Sequence, residues 1–458
     1  MNRLKLGFYT ALIICWNALL IAVAEKPETL QVISGPMLGY IEHQEALIWI
    51  ETGCARKVSL RYFLDDNPKY TSTLVQQNPY ADPCQPFISK FVLPDLRPGE
   101  YYRYEISLDD QSQNFHYPLI FKTKSKHNQY PEYSFLTGSC NYVNEYADES
   151  FGQGTNIFNY MANTKADFML WLGDNTYLRP ADYTSESGIR HRYSHTRADP
   201  NLQRFLASMS HYAIWDDHDY GPNDSNMSYE LKEIARKYFI EYWANQVFGE
   251  YGKGIYSKFR YYDSEFFLLD DRSFRDENNL DSDLNPDKSL LGDQQMRWLK
   301  NALAGSQATF KFIALGSQFL NENTTKESYN YYQPEREELL DFIAKNKIKG
   351  IIFLTGDRHH SELIRKTGET KSGKRLFYSL YDLTSSPISS RPNKDLLKSI
   401  EKDNSMRVPD TLVIDQNFCQ IKVLGKKETR FLELKCTTKD NRIAWTYQIR
   451  KSELGYEE

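Results

Sequence analysis

Five short apolar runs in this chain end the same way, and that repetition constrains the fold more than any other feature. Phe135-Leu136 leads through Thr137-Gly138 to Ser139 and Cys140. Phe168-Met169-Leu170-Trp171-Leu172 leads through Gly173 to Asp174, Asn175, Thr176 and Tyr177. Ala213-Ile214-Trp215 is followed by Asp216, Asp217, His218 and Asp219, and Phe312-Ile313-Ala314-Leu315 by Gly316, Ser317 and Gln318. Ile351-Ile352-Phe353-Leu354 leads through Thr355-Gly356 to Asp357, Arg358, His359 and His360. Helix-like stretches near residues 152–164, 227–247, 293–304 and 335–345 separate these runs. Short apolar runs alternating with helices predict an α/β domain with buried strands. Open α/β sheets bind ligands at the carboxyl ends of their strands, so one crevice is expected to receive these polar residues. The glycines let the backbone turn sharply there.

By type the delivered side chains are metal ligands. Carboxylates and a phenolate suit a hard trivalent ion, imidazole and thiolate a borderline transition metal, and a carboxylate-rich neighbourhood Ca²⁺ or Mg²⁺. A carboxylate such as Asp174 has two oxygens and can bridge two ions. Two ions roughly 3.5–4 Å apart can clamp a phosphoryl oxygen and activate water for in-line displacement. A Ser-His-Asp triad is disfavoured, because no serine stands on a Gly-x-Ser-x-Gly turn. Taken singly, each motif also has a bland reading: a turn or helix cap for Gly-Asp, a buried small hydrophobe for Cys140, a solvated acidic loop for Asp216 to Asp219. Their ordered recurrence after successive apolar runs favours the metal reading.

Residues 30 to about 125 read differently. Ala46-Leu47-Ile48-Trp49-Ile50, Val58 to Phe63 and Tyr101 to Ile106 are short runs rich in aromatic and β-branched residues, separated by turn signals such as Asp66-Asn67-Pro68 and Pro98-Gly99. A small β-sandwich is expected, with Leu93 to Tyr104 resembling a strand corner of fibronectin-type sandwiches. The polar stretch from Lys122 to Tyr130 is the expected linker. The partition is therefore residues 25–125 for the sandwich and 131–458 for the catalytic domain. With 458 residues the chain is too long for one core, and a net charge of −5 predicts no nucleic-acid-binding patch.

Gly138-Ser139-Cys140, Gly173-Asp174-Asn175-Thr176-Tyr177, Trp215 through Asp224 and Gly356-Asp357-Arg358-His359-His360 together resemble the PhoD-like alkaline phosphatases, a branch of the calcineurin-like metallophosphoesterases. Leu269 to Arg275 and Leu291 to Leu299 look like two further segments of that family. The resemblance implies an α/β (α+β sandwich) core of two packed mixed sheets flanked by helices, preceded by a fibronectin/Ig-like sandwich. It implies a centre of Fe³⁺ with Ca²⁺, with Zn²⁺, Mn²⁺ or Mg²⁺ as alternatives. Cys140, Asp174, Tyr177 and His359 match the iron ligands, with Asp174 bridging; Asp217 and Asp357 match the calcium side. His218 is then the expected proton donor or transition-state hydrogen-bond partner. Gln318 falls where the superfamily often places a histidine ligand, and Asp216 and His360 are further candidates for metal or substrate. Arg272 and Arg275 either hold a phosphate through planar bidentate contacts or pair with Asp270 and Asp271. Ser139-Cys140 replaces the usual Asp-x-His opening of the superfamily, as this branch expects.

The implied activity is that of a phosphoric ester hydrolase on mono- or diesters. Its rivals are a phospholipase D-like or teichoic-acid-type phosphodiesterase on the same centre, and a non-catalytic exported binding protein. The phosphate ester is the expected partner and the chain is expected to be a monomer. Arg3 and Lys5, an apolar run from Leu6 to Ala24 and the ending Ala22-Val23-Ala24 read as a signal peptide over residues 1–24, with no Arg-Arg pair. That predicts a secreted, periplasmic or cell-surface protein; an uncleaved anchor is the alternative and the only expected membrane contact. Export implies oxidised cysteines. Cys54 with Cys84 and Cys419 with Cys436 are the expected local pairs, leaving Cys140 alone; the alternative is that all are free and buried.

Overall fold

A computed structural model of the chain describes residues 29–126, 130–145, 150–322 and 326–457. The signal-peptide segment and Cys15 lie outside the described residues. Among the described residues, no helix is long and apolar enough to cross a membrane.

The five apolar runs become strands of two stacked sheets. In the first, Tyr133–Gly138, Phe168–Leu172 and Ser210–Ile214 run parallel. In the second, Ser264–Leu268, Phe310–Leu315, Ile351–Thr355 and Leu380–Thr384 do the same. Every residue of Phe168–Leu172, Ser210–Ile214, Phe310–Leu315 and Ile351–Thr355 is buried. Such strands, covered on both faces, read as continuous apolar runs rather than alternating ones. Antiparallel strands extend both sheets, which makes them mixed. The sheets meet through phenylalanines. Phe135 and Phe168 of the first stack 5.0 Å apart, and Phe266 and Phe312 of the second lie 5.1 and 5.2 Å from Phe135. Offset and edge-on rings at this spacing add to the burial of large apolar area. Helices cover the outer faces; Gly292–Gly305 and Gln333–Lys345 pack Met296, Leu299, Leu303, Leu339, Leu340 and Ile343 against the second sheet.

The N-terminal region is all-β, but its strands divide between two sheets. Lys57–Leu64 pairs with Asn67–Gln77 and Tyr101–Leu108 in a separate sheet. Gln31–Ile41, Ala46–Gly53 and Phe87–Leu93 instead continue the first core sheet, through a parallel pairing of Leu38 with Ser210. The sandwich is thus joined to the core by backbone hydrogen bonding as well as by sequence.

Cys54 and Cys84 form the expected disulfide. Cys419 and Cys436 do not: both are free and buried. They lie directly opposite each other on adjacent antiparallel strands. Such a pair holds its Cβ atoms about 4.5–5.5 Å apart, whereas a disulfide wants about 3.5–4.5 Å. The Cys436 thiol donates toward Asn417 Oδ1 at 3.5 Å instead.

Candidate metal centre

The carboxyl ends of the parallel strands open on one side of the stacked sheets, and the turns after them carry the acids, thiol and imidazoles. Their backbone is unusual. Cys140, Asp174, Asp357 and His359 all hold φ between 50° and 63°. A non-glycine residue in the left-handed region costs about 1 kcal/mol or more, and such residues cluster at functional sites. Gly173 is needed beside them: a Cβ there would stand 2.6 Å from the Cβ of Asp216.

Asp174 is the hub. Its carboxylate shares ligand-distance groupings with Cys140 and His359, with Asp217 and His218, and with Asp216 and Asp357, the donor atoms of each group lying within 4.8 Å of one another. The Cys140 Sγ is 3.6 Å from Asp174 Oδ2. The Tyr177 hydroxyl lies 3.0 Å from the same oxygen and 2.9 Å from His359 Nε2. The His359 tautomer follows from its other nitrogen. Nδ1 sits 2.6 Å from the carbonyl of Arg391, so it carries the proton and Nε2 presents a lone pair to the cluster.

Electrostatics point the same way. Burial first, then Asp217, Cys140 and the other acids, drive the Asp174 carboxyl well above the usual carboxylate range. Asp357 is pushed up to about 6, chiefly by burial. Burial also raises Asp217, but His218 and Arg272 outweigh it and leave the group below its ordinary value. Asp216 Oδ2 is buried with no hydrogen-bond partner among the described residues. Lone pairs of thiol, carboxylate, phenol and imidazole facing one point, with too few protons among them, fit a bound cation. Cys140, Asp174, Tyr177 and His359 would hold one ion. Asp174, Asp217 and Asp357, with Asp216 or His218, would hold a second.

The remaining sequence-predicted residues divide. The His218 ring stacks on Tyr177 with centroids 4.3 Å apart, and its backbone N–H donates to Asp174 Oδ1 at 3.2 Å. It lines a cavity of about 590 Å³ together with Asp174, Asp357 and His359. Arg272 and Arg275 are fully buried and do not line this cavity. Of the expected pairings, Arg272 keeps Asp271, with Nε 3.9 Å from Oδ1, while its closer contacts are to other acids. Arg272 Nε donates to Asp216 Oδ1 at 2.7 Å, and both arginines pair with Glu327. Gln318 donates to Glu362 and Thr384, both at 2.8 Å, and accepts from Asn321, so no ligand capacity faces the acids. His360 turns toward Glu362, with Nε2 3.2 Å from Oε1. His360 is fully buried, whereas His359 lines the cavity.

Sequence reasoning missed Glu327 and Asp224, which group with Asp217. Arg272 and Arg275 overcome burial and hold Glu327 below the usual carboxylate range; burial beside Glu327 pushes Asp224 up to about 8. Asp224 ends a motif that was legible; Glu327 has no local signal. Also missed were Arg391 and Lys394 at the cavity mouth.

Two stacked mixed sheets with this donor set at their strand ends define a metallophosphoesterase-type core. Residues 135–419 match the PhoD-like phosphatase model, and the chain belongs to that family. Residues 29–119 match a domain of unknown function, DUF7800. Alkaline phosphatase D of Bacillus subtilis (strain 168) is 27% identical over 278 residues, 50% of this chain and 46% of that protein. The chain thus matches about half the length of this curated relative. A solved structure of PhoD superposes with a TM-score of 0.74 at 18% identity, over 92% of this chain and 91% of the other. Purple acid phosphatase PPD1 from yellow lupin (Lupinus luteus) seeds gives 0.61 at 12% identity, over 91% and 74%.

Proposed function

We propose that the chain is a metal-dependent phosphoric ester hydrolase of the alkaline phosphatase D type, acting on phosphate mono- and diesters. The observation that carries this reading is the position of Asp174, whose carboxylate is within ligand distance of donors from both sheets. Fe³⁺ suits the phenolate, thiolate, imidazole and carboxylate of Tyr177, Cys140, His359 and Asp174, and Ca²⁺ suits the all-oxygen side at Asp217 and Asp357. When bound, such a pair supplies charge neutralisation at the phosphoryl oxygens and activation of water for in-line attack.

The chain's own residues do the rest. The Arg391 carbonyl fixes the proton of His359 on Nδ1. Tyr177 packs flat against His218 and sets the plane of its imidazole. His218 lines the cavity and is placed to give a proton to the leaving oxygen. Arg272 neutralises Asp216 beneath the site and leaves the acids above it available to cations. The unit acts as a monomer and is exported through residues 1–24, a reading supported by the basic start, apolar run and small-residue cleavage site. Separate matches to residues 29–119 and 135–419 support the division into residues 25–125 and 131–458.

Elemental analysis of natively purified protein, paired with hydrolysis of p-nitrophenyl phosphate and bis(p-nitrophenyl) phosphate, tests the reading. Asp174→Ala is expected to lose both metals and at least about a hundredfold in rate. Full hydrolysis by that variant in the presence of chelator overturns the assignment. A metal-free, inactive parent favours the binding-protein reading instead.

A further inference from the structure

The loop Ser385-Ser386-Pro387-Ile388-Ser389-Ser390 follows a strand of the second sheet and is stitched to the Cys140 turn of the first. Ser385 Oγ donates to the carbonyl of Thr137 at 2.8 Å, and Ser139 Oγ to the carbonyl of Ser385 at 3.0 Å. The N–H of Ile388 donates to the carbonyl of Ser139 at 2.8 Å, and that of Ser390 to the carbonyl of Cys140 at 3.1 Å. Within this seam one hydroxyl touches both sides. Ser386 Oγ donates to Cys140 Sγ at 3.1 Å and accepts the backbone N–H of His359 at 2.9 Å. Ser386 is completely buried.

Its direction is fixed. The Ser386 N–H donates to Ser361 Oγ at 3.0 Å, and its carbonyl accepts from Asn417 Nδ2 at 2.7 Å. With the His359 N–H directed at the oxygen, the hydroxyl's single proton is given to the sulfur. The His359 N–H, on a left-handed residue, receives its partner from the same oxygen.

We propose that Ser386 is a positioning residue of the metal centre: its hydroxyl locks Cys140 and His359, ligands from opposite sheets, into one geometry and withdraws electron density from the Cys140 sulfur. A donor to a thiolate weakens its donation to a metal, which sets the band, but the positioning of two ligands dominates affinity, where an outer partner is worth about 10–100-fold. This rests on the reading of the site as a metal centre.

The test uses the full chain and Co²⁺ as the probe. Ser386→Ala is expected to bind Co²⁺ about tenfold more weakly and to shift the sulfur-to-cobalt charge-transfer band. Ser386→Thr, which keeps the hydroxyl, restores both. Ser361→Ala loosens the same seam without touching a ligand; it lowers the melting temperature but leaves the band in place. If Ser386→Ala does not fold, Ser386→Gly removes the hydroxyl without adding bulk and takes its place. Parental affinity and an unmoved band in the folded variant overturn the proposal. Failure of the parent itself to bind Co²⁺ overturns the metal-centre reading instead.

Discussion

Arg272 and Asp216 form an ion pair from which water is wholly excluded: Nε lies 2.7 Å from Oδ1, and both side chains have zero exposure. The pair sits directly beneath the acidic turns and connects them to Glu327 through the rest of the guanidinium. Removing the arginine strands the buried Asp216 carboxylate, while Glu327 keeps Arg275. Breaking a buried pair by deleting one partner typically costs about 3–5 kcal/mol. Arg272→Ala is expected to lose that much in urea unfolding. Arg272→Lys is expected to recover only part of it, since an ammonium cannot serve Asp216 and Glu327 through a planar fork. A loss under about 1 kcal/mol in Arg272→Ala contradicts this account.

His218 predicts a separation of binding from chemistry. Its imidazole lines the cavity and stacks on Tyr177, while the hydroxyl of Tyr177 keeps its contacts to Asp174 and His359 without it. His218→Ala is expected to keep the metal held by Cys140, Tyr177 and His359 while kcat falls about 10²–10⁴-fold, the usual range for a lost general acid. The loss should be smaller on substrates with better leaving groups, which need less protonation. An equal loss for p-nitrophenyl and alkyl phosphates argues against proton donation.

The cavity mouth predicts an ionic-strength effect. The Arg391 guanidinium lies over the ring of Phe151 at 4.7 Å, and neither Arg391 nor Lys394 has an acidic ion-pair partner among the described residues. Unpaired cations at the entrance raise the local concentration of anionic substrate. The double variant Arg391→Ala/Lys394→Ala is expected to raise KM several-fold with kcat within about twofold. Because salt shortens the Debye length to about 3 Å at 1 M, the difference from the parent should shrink at high salt. A KM change that is independent of salt rules out steering.

His211 supplies a pH dependence remote from the metal centre. Trp171 Nε1 donates to its Nδ1 at 3.0 Å, and its Nε2 lies 3.2 Å from the Phe205 carbonyl, so the buried ring is neutral with its proton on Nε2. Burial holds its pKa down at about 3, against an ordinary value of 6.5. Above pH 6.5 the ring is neutral in both states and contributes nothing. Below it the unfolded chain takes up a proton that the folded chain refuses, so stability falls with pH until about pH 3. The limiting slope is about 1.4 kcal/mol per pH unit. Unfolding in urea from pH 6.5 to 4.5 should show a slope shallower by about one proton in His211→Asn than in the parent. Identical slopes would mean that the ring protonates in place.

The sequence by itself determined the strands that end at the site and most of the residues that gather there. Asp174 after Leu172-Gly173 and His359 after Gly356 were legible because a buried strand writes its own signature and the turn after it is local. Which of His359 and His360 reaches the cavity was not legible, because both lie in a turn after the strand and only packing buries His360. Tertiary structure decided everything that depends on separation. Ser386 and Cys140 are 246 residues apart, and Arg272 and Glu327 are 55. No window of sequence contains either pair. A serine-rich loop and a lone glutamate look like solvated surface until packing removes the water around them. The same reason governs the cysteines: Cys419 and Cys436 are close in sequence and opposite in register, yet strand spacing, which no sequence pattern states, keeps their sulfurs unbonded. Local chemistry chose the ligands; long-range packing chose which groups orient them and which cancel their charge.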